Sequence, residues 1–264
     1  MIVFILELGL VGLVVGIMNG ALGIGGAIVM IPAMHQFVPG IDPHTAKGTS
    51  LFVIIFVAAL NAWQQNRPWR DVPWKTVVVL GIGAMGGSAA GAWLTDALPG
   101  VAVTWLFIAA LSLITVRLIV AKEPTPRSQA VGSRRHGLGL AIGTLTGFVG
   151  GMTGIGGGLI LVPLALITGI STNARVTGLS NMVMVITGVA AVSVQIRAQQ
   201  LCILPGTIGQ INLIVAGALF VGALAGSPVG RWLNRHLAYR QRTRALVCLL
   251  IVVIARMAYQ AFST

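Results

Sequence analysis

The sequence predicts an all-α polytopic membrane protein made of two inverted repeats of four to five helices each, with glycine-broken helices or re-entrant arms near the midplane. Composition, a duplicated glycine-rich segment and the placement of basic residues predict it. The 264 residues are 56% hydrophobic and 8% charged, and their mean hydropathy is +0.94. A soluble domain carries about 25% charged residues, so a water-facing surface cannot be built from this supply.

Spanning helices need about 20 apolar residues. Candidate spans run over 2–21, 24–38, 49–64, 75–97, 101–121, 137–153, 155–170, 176–196, 206–229 and 245–262. The second and seventh are short and follow glycine clusters, which makes them half-helices or re-entrant arms. Trp63, Trp69, Trp74, Trp93, Trp105 and Trp232 mostly fall near span ends, where indole rings anchor at the membrane–water interface.

The duplication is ordered along the chain. Gly12, Gly16, Gly20, Gly23, Gly25, Gly26 and Pro32 match Gly143, Gly147, Gly151, Gly154, Gly156, Gly157 and Pro163 at a constant offset of 131. With three residues deleted in the following loop, Ala46, Lys47 and Thr49 match Ala174, Arg175 and Thr177. Further on, Gly83, Gly87, Ser88, Gly91, Trp93, Leu94 and Arg117 match Gly222, Gly226, Ser227, Gly230, Trp232, Leu233 and Arg256 at an offset of 139. The first repeat is 1–121, a basic linker covers 122–136, and the second repeat is 137–264.

Charge orients the copies. The loop at 65–75 carries Arg67, Arg70 and Lys75, whereas its counterpart at 197–206 has only Arg197. The turn at 96–100 has no basic residue, yet its counterpart at 231–244 holds Arg231, Arg235, Arg240, Arg242 and Arg244. Basic loops stay cytoplasmic, so matching loops lie on opposite faces and the repeats are inverted. The linker is then cytoplasmic and both termini lie outside. The start lacks a basic n-region and a small-residue cleavage site, so no cleavable signal peptide is expected.

Several function classes fall away. The net charge of +12 comes from short loops between apolar spans, a topology signal, so nucleic acid is not an expected partner. Cys202 and Cys248 lack metal-ligand spacing and read as small hydrophobic residues, and the four histidines form no metal motif. No cofactor or metal is expected. Gly81-Ile82-Gly83-Ala84-Met85-Gly86 matches a dinucleotide fingerprint formally but follows no strand. Gly83, Gly87 and Gly91, like Gly222, Gly226 and Gly230, read instead as stripes that admit a neighbouring helix backbone.

Two kinds of residue carry the chemistry. The Gly-Ile-Gly-Gly clusters, with Gly23, Gly25 and Gly26 in one copy and Gly154, Gly156 and Gly157 in the other, are disfavoured in helices by roughly 1 kcal/mol per glycine. They read either as tight packing or as breaks whose freed N–H groups form an anion-binding concavity. Lys47 and Arg175 occupy matching positions just before spans, followed by Thr49 and Ser50 and by Thr177, Ser180 and Asn181, and read as anion ligands or as snorkelling cations. Arg117 and Arg256 fit snorkelling better. Asn19 reads equally as a ligand donor or a helix-end cap. Among five acidic residues only Glu7 lies well inside a span, Asp96 falling at the end of 75–97, so basic and hydroxyl groups with few acids favour a small anion as cargo.

The segments Gly23-Ile24-Gly25-Gly26 through Pro32 and Gly154-Ile155-Gly156-Gly157-Gly158 through Pro163 resemble the TauE/SafE family of sulfite exporters and sulfonate permeases, and the similarity extends over nearly the whole chain. The resemblance implies a bacterial inner-membrane carrier of sulfite, thiosulfate, organosulfonates such as sulfoacetate, or related anions, usually outward. Two departures are visible. Ala27 stands where the second copy keeps Gly158, and Val176 stands where the first has Gly48, so the two half-sites need not be equivalent.

The expected protein is a secondary transporter, not an enzyme. One repeat moves against the other around a site formed by Asn19, Gly23, Gly25, Gly26, Lys47, Thr49, Ser50, Gly154, Gly156, Gly157, Arg175, Thr177 and Asn181. Inverted repeats with paired broken helices are a common plan of such carriers. Its partners are a small inorganic or organic anion and the bilayer; the oligomeric state is open. An anion channel is the alternative, and a lipid-phosphate phosphatase a more distant one, since it would want paired carboxylates.

Overall fold

The computed structural model describes residues 2–66, 72–120, 134–172, 175–200, 204–236 and 239–263. Arg67, Trp69, Arg70 and the linker up to residue 133 lie outside the described residues. Helix α1 (Ile2–Leu22) runs into the first glycine cluster and α2 (Ala27–Phe37) leaves it, followed by α3 (Pro43–Gln65), α4 (Trp74–Asp96) and α5 (Gly100–Val120). After the linker, α6 (Arg134–Thr153) meets the second cluster, and α7 (Gly158–Ile167), α8 (Val176–Gln195), α9 (Leu213–His236) and α10 (Tyr239–Ser263) follow. A short antiparallel hairpin of β1 (Thr207–Ile208) and β2 (Ile211–Asn212) precedes α9.

The chain is an all-α polytopic membrane protein. Among the described residues α3, α4, α8 and α9 are long and apolar enough to cross a membrane, with shorter apolar stretches at Leu6–Leu22, Ala27–Phe37, Gly100–Leu113 and Leu250–Tyr259. Leu10, Trp93, Val101 and Val221 are each about two-thirds exposed, which suits lipid and not water. The arms α2 and α7 have 11 and 10 residues. At 1.5 Å per residue each is about 16 Å long, roughly half the hydrocarbon thickness. They cannot cross it alone.

Two of the helix starts that differ from the sequence reading bear on the site. α3 begins at Pro43 rather than at 49, because Asp42 caps it: one carboxylate oxygen accepts from His44 N (2.9 Å) and Thr45 N (3.0 Å). Asp at the N-cap followed by Pro at the first helical position is a standard start signal. Lys47 therefore lies inside the helix, as Thr49 and Ser50 do, and not before it. α9 begins at Leu213 rather than at 206, since the hairpin occupies the intervening residues and Asn212 Oδ1 accepts from Val215 N at 3.0 Å.

The glycine stripes find their partners in each other. α1 packs most extensively against α9, and α4 against α6. A Cβ added at Gly12 or Gly16 would overlap Leu219 O or Ala223 O, and one at Gly222 or Gly226 would overlap Gly9 O or Leu13 O. The same reciprocity joins α4 to α6: Gly83, Gly87 and Gly91 face Leu140 O, Thr144 O and Phe148 O, while Gly143, Gly147 and Gly151 face Leu80 O, Ala84 O and Ser88 O. Each seam thus brings the two backbones into direct contact. Between the seams, α3 and α8 lie antiparallel: Gly48 near the start of α3 meets Gln195 at the end of α8, and Gly178 meets Asn66.

Gly86 and Gly87 test this directly. Gly86 has nothing within 4 Å of its missing Cβ, so Gly86→Ala should hold or raise thermal stability through helix propensity, worth up to about 1 kcal/mol. Gly87→Ala should lower it by about 1–3 kcal/mol through overpacking. Melting of the two purified variants in detergent checks the contrast.

Candidate functional site

The two helix breaks meet at the centre of the molecule. Gly23 (φ 65°) and Gly25 (φ 78°) lie in the left-handed region, as do Gly154 (82°), Gly156 (78°) and Gly157 (81°), a region costly for any residue with a Cβ. Gly26 differs from its match Gly157: it has φ −104°. Here what forbids a side chain is space, because Val15 occupies the position a Cβ would take. A Cβ on Gly158 would lie 2.5 Å from Gly23 O and 3.0 Å from Ile24 Cα, and one on Gly25 would lie 2.5 Å from Ile155 O. The breaks cross in direct contact, packed by Ile54 and Met184.

Polar side chains from α3 and α8 satisfy the broken backbone. Ser50 Oγ donates to Gly154 O (3.1 Å) and Ser180 Oγ to Gly23 O (2.6 Å), while Thr187 Oγ1 donates to Gly156 O (3.0 Å). Asn19, fully buried, accepts from Gly25 N through Oδ1 at 3.2 Å. Its Nδ2 has no partner among the described residues, so it caps the loop and still presents a donor. Gly26 and Gly157 cap α2 and α7 without any side-chain hydrogen bond, so among the described residues the N-caps give the first-turn amides of both arms no side-chain acceptor.

Lys47 is the largest fully buried side chain, 1% exposed. Its Nζ donates to Thr95 Oγ1 at 2.6 Å, the one hydrogen bond of its ammonium among the described residues. Its Cγ and Cα lie 2.7 and 3.2 Å from the position of a Cβ on Gly154. Asp96 and Asp42 are the carboxylates close enough to act on it electrostatically, and Asp96 also accepts a short hydrogen bond from Gln210 Nε2. Gln195, fully buried, has neither amide atom paired, and its Oε1 lies against Gly48.

The pairing of Lys47 with Arg175 is corrected by these contacts. Thr177 meets Gly23 as Lys47 meets Gly154: its Cγ2 and Cα lie 2.7 and 2.9 Å from the missing Cβ. The Ser50–Gly154 and Ser180–Gly23 bonds repeat the same correspondence, and Gly48 corresponds to Gly178 rather than to Val176. The connection into α8 is therefore one residue shorter than that into α3, not three. Arg175 is exposed at the N-cap of α8 and lies outside this buried set. Thr49 also faces elsewhere, its hydroxyl accepting from Asn212 N at 2.9 Å and anchoring the hairpin.

Thr177 belongs to a second cluster at the opposite end of the α3–α8 pair. Asn234 Nδ2 donates to Thr177 Oγ1 (3.2 Å) and Gly20 O (3.4 Å). Gln65 Nε2 donates to Gly20 O (3.1 Å), and Asn181 Nδ2 to Gln65 Oε1 (3.4 Å) and Thr177 O (3.0 Å). Sequence reasoning missed Asn61, Gln65, Thr95, Gln195, Arg231 and Asn234. The available signal was an amide or cation within or at the end of an apolar span, which is costly enough to need a reason. An apolar groove between α4 and α6, lined by Gly86, Leu140, Thr144 and Phe148, contains none of these groups and faces outward.

Comparison with known proteins now adds to the geometry. The family model described as "Sulfite exporter TauE/SafE" matches residues 8–257. The chain belongs to the TauE/SafE family. It is 26% identical to the "Probable membrane transporter protein YunE" of Bacillus subtilis, over 94% of this chain and 95% of that one. It is 24% identical to a "Probable membrane transporter protein" of Haemophilus influenzae, over 92% and 91% of the two chains. A further Bacillus subtilis relative, "Probable membrane transporter protein YjnA", is 24% identical over 93% and 94%. No solved structure matches the chain. TauE/SafE membership and the apolar helices make it a multi-pass membrane protein of a transporter family, and these relatives carry transporter names rather than enzyme names.

The serine bonds carry a stability prediction. Ser180→Ala strands the buried Gly23 carbonyl, which should cost about 1–3 kcal/mol. Ser193→Ala, whose exposed hydroxyl serves only Ala190 O of its own helix, should leave the melting temperature unchanged. Equal effects of the two substitutions would remove the role given to Ser180.

Proposed function

We propose that the chain is a secondary carrier that exports small sulfur oxyanions, sulfite, thiosulfate or organosulfonates among them, by alternating access about the crossed glycine breaks. The observation that carries this reading is Lys47, a cation shut away from solvent with one neutral hydrogen-bond partner among the described residues. An ammonium has three donors, and a buried charge left without partners is costly. Asp96 and Asp42 act on the ammonium without a hydrogen bond to it among the described residues, and a small oxyanion would supply the remaining acceptors and a negative charge in direct contact. The uncapped starts of α2 and α7 and the Nδ2 of Asn19, unpartnered among the described residues, add donors at the glycine breaks. Asn19, Lys47, Ser50, Thr177, Asn181 and the six break glycines remain in the proposed site. Arg175 and Thr49 do not.

The repeats 1–121 and 137–264, inverted in a bacterial inner membrane with both termini outside, fit the reciprocal seams and the paired serine bonds. These seams also bear on the motion. Because α1 is joined to α9 and α4 to α6 at backbone contact, the bodies able to move are these cross-paired units, not one repeat against the other. The α3–α8 pair, with a polar cluster at each end, lies between them. Export of a monovalent anion down an inside-negative potential is favoured by about 2.3 kcal/mol per 100 mV, so uniport suffices.

Thermal stability of the purified protein against sulfite, thiosulfate, sulfate, sulfoacetate, taurine and chloride tests the reading. A ligand selective for the folded state raises stability by RT ln(1 + [L]/Kd), about 2.7 kcal/mol at a hundredfold excess over Kd. One sulfur oxyanion should stabilise the wild type, and Lys47→Gln should abolish the shift. A shift that persists in Lys47→Gln, or one given only by taurine, would overturn the assignment. In proteoliposomes, collapsing the membrane potential should slow efflux of that anion, and unitary currents would assign a channel instead.

A further inference from the structure

The position matching Lys47 is the neutral Thr177, yet the second cluster is not without a cation. Arg231, on α9, has its backbone N 3.0 Å from the position of a Cβ on Gly20, in the last turn of α1 before the first break. Its Nη1 donates to Asn61 Oδ1 at 3.3 Å. Asn61 is fully buried and is held by Val57 O (3.0 Å) and Ser227 Oγ (3.4 Å). The guanidinium therefore turns inward to a buried amide, not outward to the headgroups that a snorkelling arginine seeks.

Of the five N–H donors of a guanidinium, one has a partner among the described residues. The charge acting on Arg231 there is another cation, Arg235, four residues on along the same helix, a spacing at which like charges repel. Asn61 and Gln65 are likewise four apart on α3, so Arg231 faces the same side of that helix as the Gln65–Asn181–Thr177–Asn234 network. A cation aimed into a cluster of amides and hydroxyls, with no carboxylate among the described residues to neutralise it, is a group prepared for an anion.

We propose that Arg231, positioned by Asn61 and Ser227, is a second anion-binding half-site at the opposite end of the α3–α8 pair from Lys47. It takes the same small oxyanion on the other side of the glycine crossing. The proposal rests on the carrier reading. The charge that repetition would have put on α8 is supplied from α9 instead, so the substrate meets a cation on either side of the breaks. Positive-inside orientation makes the Arg231 half-site the cytoplasmic one and the Lys47 half-site the external one.

Uptake of radiolabelled sulfite into everted and right-side-out membrane vesicles tests this. Arg231→Gln should raise the KM about tenfold in everted vesicles, the loss of one charge-assisted contact, and leave right-side-out vesicles unchanged. Arg231→Lys should restore part of the loss, and Lys47→Gln should show the reverse sidedness. Unchanged KM for Arg231→Gln in both orientations overturns the half-site while the Lys47 reading stands. An unchanged KM for Lys47→Gln in both overturns the carrier reading instead. The same anionic chemistry could come from a lipid headgroup. If Arg231→Gln leaves transport intact and only abolishes stabilisation of the purified protein by phosphatidylglycerol in phosphatidylcholine liposomes, the contact is to lipid and the half-site is overturned. Where Arg231→Gln is poorly folded, Asn61→Leu gives the same readouts, with the same outcomes deciding.

Discussion

Direct backbone contact between helices underlies the whole arrangement. In lipid, apolar side chains gain little by leaving one apolar environment for another, so helices associate through close packing and small residues at their interfaces. The seams α1–α9 and α4–α6 carry this to its limit. Gly12 and Gly16 admit the carbonyls of Leu219 and Ala223, and Gly222 and Gly226 return the relation to Gly9 and Leu13. Since each seam joins a helix before the linker to one after it, the two halves of the chain are interlocked rather than stacked side by side.

That interlocking fixes where the irregular backbone can go. α1 and α6 stop at their glycine clusters, and both seams hold these ends against the buried α3–α8 pair. The crossing buries peptide groups that lipid could not satisfy. Ser50, Ser180 and Thr187 supply hydroxyls to the carbonyls, and Asn19 supplies an oxygen to Gly25 N. The breaks are consequently both a packing device and a polar centre in an otherwise apolar interior. The two readings of the glycine clusters are not exclusive: tight packing of the breaks is what brings Lys47 against Gly154 and Thr177 against Gly23.

The two ends of the α3–α8 pair share a backbone plan and differ in their side chains. Lys47 with Thr95 corresponds to Thr177 with Asn234, and Gln195 to Gln65. One end places its cation on α3 and the other on α9.

Composition and repetition alone determined that the chain lives in a membrane and that glycine clusters interrupt two helices, and they singled out Lys47 and Asn19 as polar groups near those breaks. The reason is that charge content, apolar run length and glycine spacing are local quantities, and each acts on the chain before any tertiary contact forms. The start of α3 was also legible, in Asp42-Pro43, although apolar run length hid it. Which helix each stripe meets, the true register of α8 against α3, the placement of Arg175 and Thr49 away from the buried set, and the inward turn of Arg231 were decided only by the tertiary structure. Register in a loop of uncertain length cannot be counted from sequence. A side chain's partner across 170 positions, such as Asn61 for Arg231, exists only once the seams have brought α9 over α1.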